Sequence, residues 1–444
     1  MPETLAANYL KLSEIQNRIH NLERASLHGN IKTVAQNVLI DLDLDKKVFD
    51  LLRILSAQQS YQFVLPLQRG QKIQNILEVY KACGNSRVSL RPTAFDVRDI
   101  QTLSVAEVYK LTQELAQNGI EAKPEADLKL VVTLDQPKFE VRINFSHSNT
   151  PKISVIIPTR NYQTFVVNVI RHLILQDIET KKFEIILVDD GGEDQTEDYI
   201  LQLVGPIKSQ INFKYIYVQR ETHEKTAFRA GICRNIGTEL ARGEYLLFLD
   251  SDMLVPQDFL RELLVQFNDA DVIQCPRWHI NPEKSDSFTE LSSLLPADRY
   301  IEEASYWMPF FESKNWAELP FYWRYTCTYC LAISRENFLQ LGGFNQNFRS
   351  YGFEDTDLGY RGAKAHLKFK MWNKYVYHLT PPKDKARYRH SLWRKQILLS
   401  KTGKIFYLLH LDPEIYKLFW PYMQSESRWK QRLFHVFKRL LNRN

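Results

Sequence analysis

The sequence predicts an α/β protein built on a doubly wound, mostly parallel sheet, and three observations carry that prediction. From Ile153 onward, short apolar runs alternate with helical stretches. The run Tyr245–Leu249 ends abruptly in two carboxylates, Asp250 and Asp252. The 444 residues exceed what one core usually fills, so further domains are expected around the sheet. The expected layout is a smaller α+β domain over residues 1–150, the central α/β domain over 151–385 and a basic helical tail over 386–444.

Each element has its own reason. Ile153–Ile157, Glu184–Val188, Phe213–Val218, Tyr245–Leu249 and Val272–Cys275 are short apolar runs, as strands buried on both faces of a parallel sheet should be. A helix is expected from Thr226, a plausible N-cap, to Arg242, ending at Gly243, with Gly231 and Gly237 implying close packing. Before residue 150 the pattern changes. Leu10–Leu22, Val48–Leu55 and Val105–Ala116 have the spacing of amphipathic helices, and Leu128–Leu134 with Phe139–Phe145 reads as a hairpin. The polar stretch Ser146–Pro151 is the expected boundary.

Composition narrows the compartment and partners. Five scattered cysteines, an odd number, fit a reducing cytoplasm, and Cys327-x-x-Cys330 lacks the second pair or histidines of a zinc site, so buried thiols are expected. No stretch reaches the roughly 20 apolar residues of a membrane span, and no signal-peptide pattern opens the chain. Residues 401–444 hold nine Lys/Arg against three Asp/Glu, a surplus equal to the whole chain's +6. Trp429, Leu433, Phe437 and Leu440 recur there at helical spacing, which suits either peripheral contact with an anionic membrane or a terminal helix packed on its own domain. No nucleic-acid partner is expected.

Asp250 and Asp252 leave the carboxyl end of a strand, where open α/β sheets bind ligands. Carboxylates suit Mg2+ or Mn2+, which usually share their coordination with substrate phosphates, so a nucleotide diphosphate is the natural companion. The alternative is a turn in which one Asp caps the helix that Pro256 opens.

Further motifs follow in order: Ile153-Ser-Val-Ile-Ile-Pro-Thr-Arg-Asn161, Ile185-Ile-Leu-Val-Asp-Asp-Gly191, Ala230-Gly-Ile-Cys-Arg-Asn-Ile-Gly237, Leu341-Gly-Gly-Phe-Asn345 and Gly352-Phe-Glu-Asp-Thr-Asp-Leu-Gly-Tyr-Arg361. The series resembles family-2 glycosyltransferases with the A-type nucleotide-sugar fold. Its carboxyl half resembles the galactosyltransferase-type ending of chondroitin-polymerase-like enzymes. The resemblance covers roughly residues 152–380.

It implies a metal-dependent inverting enzyme that moves a hexose or N-acetylhexosamine from a UDP-sugar to a glycan hydroxyl. In it Asp190 resembles the acid that binds the uracil edge, Pro158 and Arg160 lie beside the base, and Asp189 supports them. Arg229 and Arg234 would reach the diphosphate. Asp252 resembles the direct metal ligand, with Asp250 near the ribose or the ion and His378 completing the shell. Asp355 matches the base, Glu354 would hold sugar hydroxyls, and Asp357 would cap the helix that follows.

Each residue also has a plainer reading. Asp189 and Asp190 suit a turn before Gly191 and Gly192, where the family usually has Ser after the first Gly. His378 suits a structural histidine, and the acids at 354–357 suit any helix start. The aromatic segment between the sheet and Glu354 holds Trp307 and Trp323, with Trp278 nearby, and suits an acceptor groove or core packing. A retaining transferase, a nucleotidyltransferase and a catalytically silent nucleotide-sugar-binding scaffold remain the rival readings.

Overall fold

The computed structural model describes residues 36–39, 61–67, 73–84, 88–92, 105–124, 137–147, 150–220, 229–285, 291–300, 316–380 and 399–423. The fold divides into two compact units, residues 1–133 with 403–444, and residues 134–402.

In the first unit, β1 (Gln36–Leu39), β2 (Tyr61–Leu67) and β3 (Val88–Pro92) form a parallel sheet in that order, accompanied by α1 (Ile73–Cys83) and α2 (Val105–Gln117). The parallel strands were not among the expected elements. They are four to seven residues long, too short for periodicity to separate them from helical segments. The expected helices at Leu10–Leu22 and Val48–Leu55, and the strand at Leu128–Leu134, lie outside the described residues. Helix α2 matches expectation and buries Val105, Val108, Leu111 and Leu115 at helical spacing.

Tyr109 of α2 stacks on Tyr416 of the helix Pro413–Met423 with ring centroids 3.8 Å apart. The Thr112 and Tyr407 hydroxyls lie 3.2 Å apart. Residues 403–423 are therefore packed into the amino-terminal unit instead of forming part of a separate tail. The expected amphipathic stretch at 425–444 lies outside the described residues.

The second unit holds an eight-stranded sheet. Its strands are β4 (Phe139–Phe145), β5 (Ile153–Thr159), β6 (Phe183–Asp189), β7 (Asn212–Val218), β8 (Tyr245–Leu249), β10 (Val272–Gln274), β13 (Cys330–Ser334) and β14 (Phe369–Met371), in the spatial order β14-β10-β13-β8-β5-β6-β7-β4. The pairs among β8, β5, β6 and β7 are parallel, as is β10 with β14, whereas β13 and β4 pair antiparallel with their neighbours. The expected α/β doubly wound class holds, with two reversals.

Strand β4 pairs with β7 across a bulge between Val141 and Ile143, so the unit begins before the polar loop read as the boundary. Arg142 on this strand lies 3.9 Å from the Tyr217 ring centroid and bonds Glu197 at 2.7 Å.

Alternate residues of the strands face opposite sides. Val155 and Ile157 of β5 join a core with Val166 and Ile170 of α3 (Gln163–Ile174) and Ile200 of α4 (Thr196–Val204). Ile156 of β5 faces the other way, against Ile232 and Ile236 of α5 (Ala230–Glu239). A Cβ at Gly237 would stand 2.5 Å from Ile156 Cγ2, so the close packing inferred from this glycine holds.

Glu184 interrupts the apolar run of β6 and is fully buried. Burial alone would raise its pKa, but the Lys214 ammonium at 2.6 Å, the Arg242 backbone N–H at 2.6 Å and the Ser154 hydroxyl at 2.7 Å more than offset this and hold it below the usual carboxylate value.

A second sheet of four short strands was not foreseen. It consists of β9 (Met253–Leu254), β11 (Arg277–Ile280), β12 (Arg299–Tyr300) and β15 (Val376–Leu379), ordered β12-β11-β15-β9. Its strands of two to four residues leave no alternation to read, yet they fix what surrounds Asp252.

Candidate active site

The carboxyl ends of β5, β6 and β8 open on one cavity of about 440 Å³. Pro158 and Arg160 come from β5, Asp190 from β6, and Asp250 and Asp252 from β8, while Arg229 and Arg234 come from the start of α5. Glu354 and Asp355 enter from the first turn of α8 (Glu354–Lys364). Residues scattered over almost 200 positions thus meet where a doubly wound sheet binds ligands.

Asp190 is held by two arginines, the buried Arg229 and the half-buried Arg220. Arg229 donates Nε to its Oδ1 at 2.7 Å, Arg220 pairs with its Oδ2, and Arg220 Nε also bonds the Asp190 carbonyl at 2.7 Å. Arg229, 1% exposed, gives Nη2 to the Gln219 carbonyl at 3.1 Å. In this arrangement Arg229 braces the Asp190 side of the cavity, whereas its expected target was a diphosphate. Asp189 does not line the cavity. It accepts the Tyr215 hydroxyl at 2.5 Å and the Gly192 N–H at 2.7 Å, and burial raises its pKa against those bonds.

Arg234 is 2% exposed and donates Nη2 to Asp250 Oδ1 at 2.7 Å. Its Nε and Nη1 are buried without a hydrogen-bond partner among the described residues. The Asp250 N–H bonds the Tyr329 carbonyl at 3.0 Å, fixing the bend after β8. Asp252 Oδ2 lies 3.2 Å from His378 Nε2, and the Leu379 N–H bonds the Asp252 carbonyl at 2.8 Å. Among the described residues no cluster of three or more His, Cys, Asp or Glu side chains capable of holding a metal ion is found. The chemistry of the Asp252 and His378 donors fits a cation that takes its remaining ligands from phosphate and water.

Helix α8 starts sharply. Gly352 and Phe353 both have positive φ, 93° and 71°, so the chain reverses just before Glu354. Glu354 is buried with Oε2 unpartnered among the described residues. Burial, then the neighbouring Asp355 charge, pushes its pKa up to about 8. Burial also raises Asp355, to about 6, with the Thr356 N–H at 2.8 Å favouring its ionised form. Asp357 is no cap. Already inside the helix, it pairs with Arg361 at 2.7 Å and is fully buried.

Of the acceptor-groove candidates, Trp278 and Trp323 do not line this cavity. Trp278 stacks on Tyr375 with centroids 5.2 Å apart beneath the Arg299 guanidinium, and Trp323 packs edge-on against Tyr360 of α8 at 5.1 Å. Trp307 lies outside the described residues. Arg220, Arg277, Thr328, Tyr329 and Tyr351 also line the cavity, although no motif marks them in the sequence. Arg220 had a signal available, since it follows strand β7 at the productive edge of the sheet. Cys330 is a buried strand thiol as expected, whereas Cys327 lines the cavity with its thiol pKa pushed well up by burial.

Residues 154–342 match the family model described as glycosyl transferase family 2. The chain carries a family-2 glycosyl transferase domain. Residues 313–385 match a second model, described as the N-terminal domain of galactosyltransferase, so the glycosyl transferase domain and its carboxyl extension cover the whole cavity. Sheet topology and family together bear out the A-type glycosyltransferase fold.

Curated relatives include a validoxylamine A glucosyltransferase of Streptomyces hygroscopicus subsp. limoneus, 27% identical over 231 residues, or 48% of this chain and 48% of the relative. The poly(ribitol-phosphate) beta-N-acetylglucosaminyltransferase TarS of Staphylococcus aureus is 32% identical over 111 residues, 25% of this chain and 18% of the relative. The chain thus spans about half the length or less of these relatives. Among solved structures, S. aureus TarS 1–349 in complex with UDP has a TM-score of 0.39 at 20% identity, covering 57% of this chain and 65% of that one. A mannosyltransferase from Pyrobaculum calidifontis in complex with GDP-Man and Mn2+ has a TM-score of 0.40 at 16% identity, covering 63% and 70%.

Proposed function

We propose that the glycosyl transferase domain is a metal-dependent inverting enzyme that moves a hexose or N-acetylhexosamine from a UDP-sugar to a glycan hydroxyl. The observation that carries this reading is the single cavity in which Glu354 and Asp355 share a wall with Asp250, Asp252 and Arg234 at the carboxyl ends of parallel strands. The glucosyl and N-acetylglucosaminyl transferases among the relatives support this class of sugar.

Pro158, Arg160 and the braced Asp190 flank the nucleoside. Arg234 has two guanidinium nitrogens without partners among the described residues and is suited to phosphate oxygens. When bound, Mn2+ or Mg2+ would be held by Asp252 and His378, with Asp250 alongside, and would offset the charge developing on the departing diphosphate. Asp355 takes the proton of the acceptor hydroxyl as that oxygen bonds the anomeric carbon. The bond from that carbon to the diphosphate breaks on the opposite face and the pair of electrons leaves with UDP. Glu354, held neutral by burial, donates a hydrogen bond to a sugar hydroxyl. A cytoplasmic location, with the basic carboxyl stretch against an anionic membrane face, belongs to the same proposal.

A donor panel with product analysis tests it. Wild-type chain should release UDP and give a product of inverted anomeric configuration. Asp355→Asn should lose about 10²–10⁴-fold in kcat, and Asp252→Ala should lose metal-stimulated turnover. Full turnover by D355N would remove the base, retention of configuration would replace the mechanism, and pyrophosphate release would make the chain a nucleotidyltransferase.

A further inference from the structure

His279 takes no part in the reaction described above, yet the fold sets it against the imidazole assigned to the cation. Strands β11 and β15 run parallel with His279 and His378 directly in register, while Met253, the residue after Asp252, opposes His378 on the other side. His279 is 5% exposed, and its ring meets that of His378 edge-on, with centroids 4.8 Å apart and planes at 79°. The two Nδ1 atoms are 3.0 Å apart. His378 therefore lies between Asp252, 3.2 Å from its Nε2, and His279 at its Nδ1; the Thr380 hydroxyl is a longer neighbour at 3.4 Å.

A neutral imidazole has one N–H and one lone pair, so this Nδ1–Nδ1 contact requires a donor and an acceptor. Two arrangements of neutral rings satisfy it. In one, His279 donates, His378 accepts at Nδ1, and the Nε2 of His378 carries the proton and bonds Asp252. In the other, His378 donates from Nδ1 to His279 and turns an Nε2 lone pair toward Asp252. Only the second leaves Nε2 able to ligate a cation.

We propose that His279 is the positioning residue of the cation site: by accepting at Nδ1 it holds His378 in the tautomer and ring orientation that present Nε2 beside Asp252. Imidazole ligands generally need such a partner on the far nitrogen, and its loss weakens metal binding while leaving the ligands in place. The inference rests on the metal reading of Asp252 and His378.

The test is Mn2+ binding to the full chain in the presence of UDP, followed by the electron paramagnetic resonance signal of free Mn2+. His279→Phe should bind Mn2+ about 10–100-fold more weakly than wild type, with UDP affinity in the absence of metal unchanged. His279→Gln, whose amide oxygen accepts a hydrogen bond, should recover most of the loss. If circular dichroism shows that H279F does not fold, His279→Thr, too short to reach His378, carries the same expectation. Mn2+ affinity within twofold of wild type in whichever variant folds overturns the inference. A wild-type chain that binds no Mn2+ beside UDP overturns the cation reading itself, a separate and distinguishable failure.

Discussion

Glu354 and Asp355 share one helix start but differ in how far burial displaces them, and that difference predicts a pH profile. Asp355, with its pKa raised to about 6, must lose its proton to act as base, so kcat/KM should climb as pH passes through about 6. Glu354, raised to about 8, must keep its proton to donate, so activity should fall above about 8. The two limbs belong to the pair as a whole. Glu354→Gln should abolish the alkaline limb and keep the acid one. Stability follows the same sign: a carboxyl whose folded pKa lies above its unfolded value favours folding at low pH and loses that contribution as pH rises through the folded value. The melting temperature of E354Q relative to wild type should therefore increase between pH 5 and pH 9, and an unchanged difference would argue against a buried neutral Glu354. These two acids, like Asp250 and Asp252, were legible because they sit in short motifs at strand and helix ends. His279 was not legible, since its significance comes from register with a residue 99 positions away.

At the scale of elements, the mounting of α8 decides where the acids point. Gly359 faces the turn at residues 322–325, and a Cβ there would stand 2.6 Å from the Trp323 carbonyl oxygen and 2.1 Å from Thr326 Oγ1. Backbone cannot yield cheaply, so Gly359→Ala should destabilise the protein by about 1–3 kcal/mol through overpacking. Because the helix would be displaced with Asp355 on it, kcat should fall more than donor affinity, and a variant with wild-type kcat would refute this coupling. The long apolar strands β5, β6 and β8 were legible because burial on both faces writes a continuous pattern. The strands of the four-stranded sheet were not: with two to four residues each, pairing partners far away in sequence decide their conformation.

At the scale of the whole molecule, the second unit accounts for the cavity and the first gathers the chain's two ends. The second unit begins before the expected boundary near residue 150 because β4 pairs with β7, which begins 73 residues after the start of β4. The carboxyl stretch was half legible. The stretch with helical spacing at 425–444 lies outside the described residues, whereas Tyr407 and Tyr416 before it are core residues against α2. Among the described residues no helix is long and apolar enough to cross a membrane. Deleting residues 425–444 should therefore lower binding to vesicles containing anionic lipid, more so at low salt, while transfer to a soluble acceptor persists. Equal vesicle binding by the truncated chain would end the membrane proposal.

The pairing of β9 with β15 links residues more than 120 positions apart through main-chain bonds, so the spacing between Asp252 and His378 is dictated by the ladder. Side chains alternate along a strand, and inserting or removing one residue next to either strand would rotate the imidazole to the reverse side of the sheet. Length changes at this spot should thus be as damaging as replacing the histidine outright, even where every amino acid of the motif is retained.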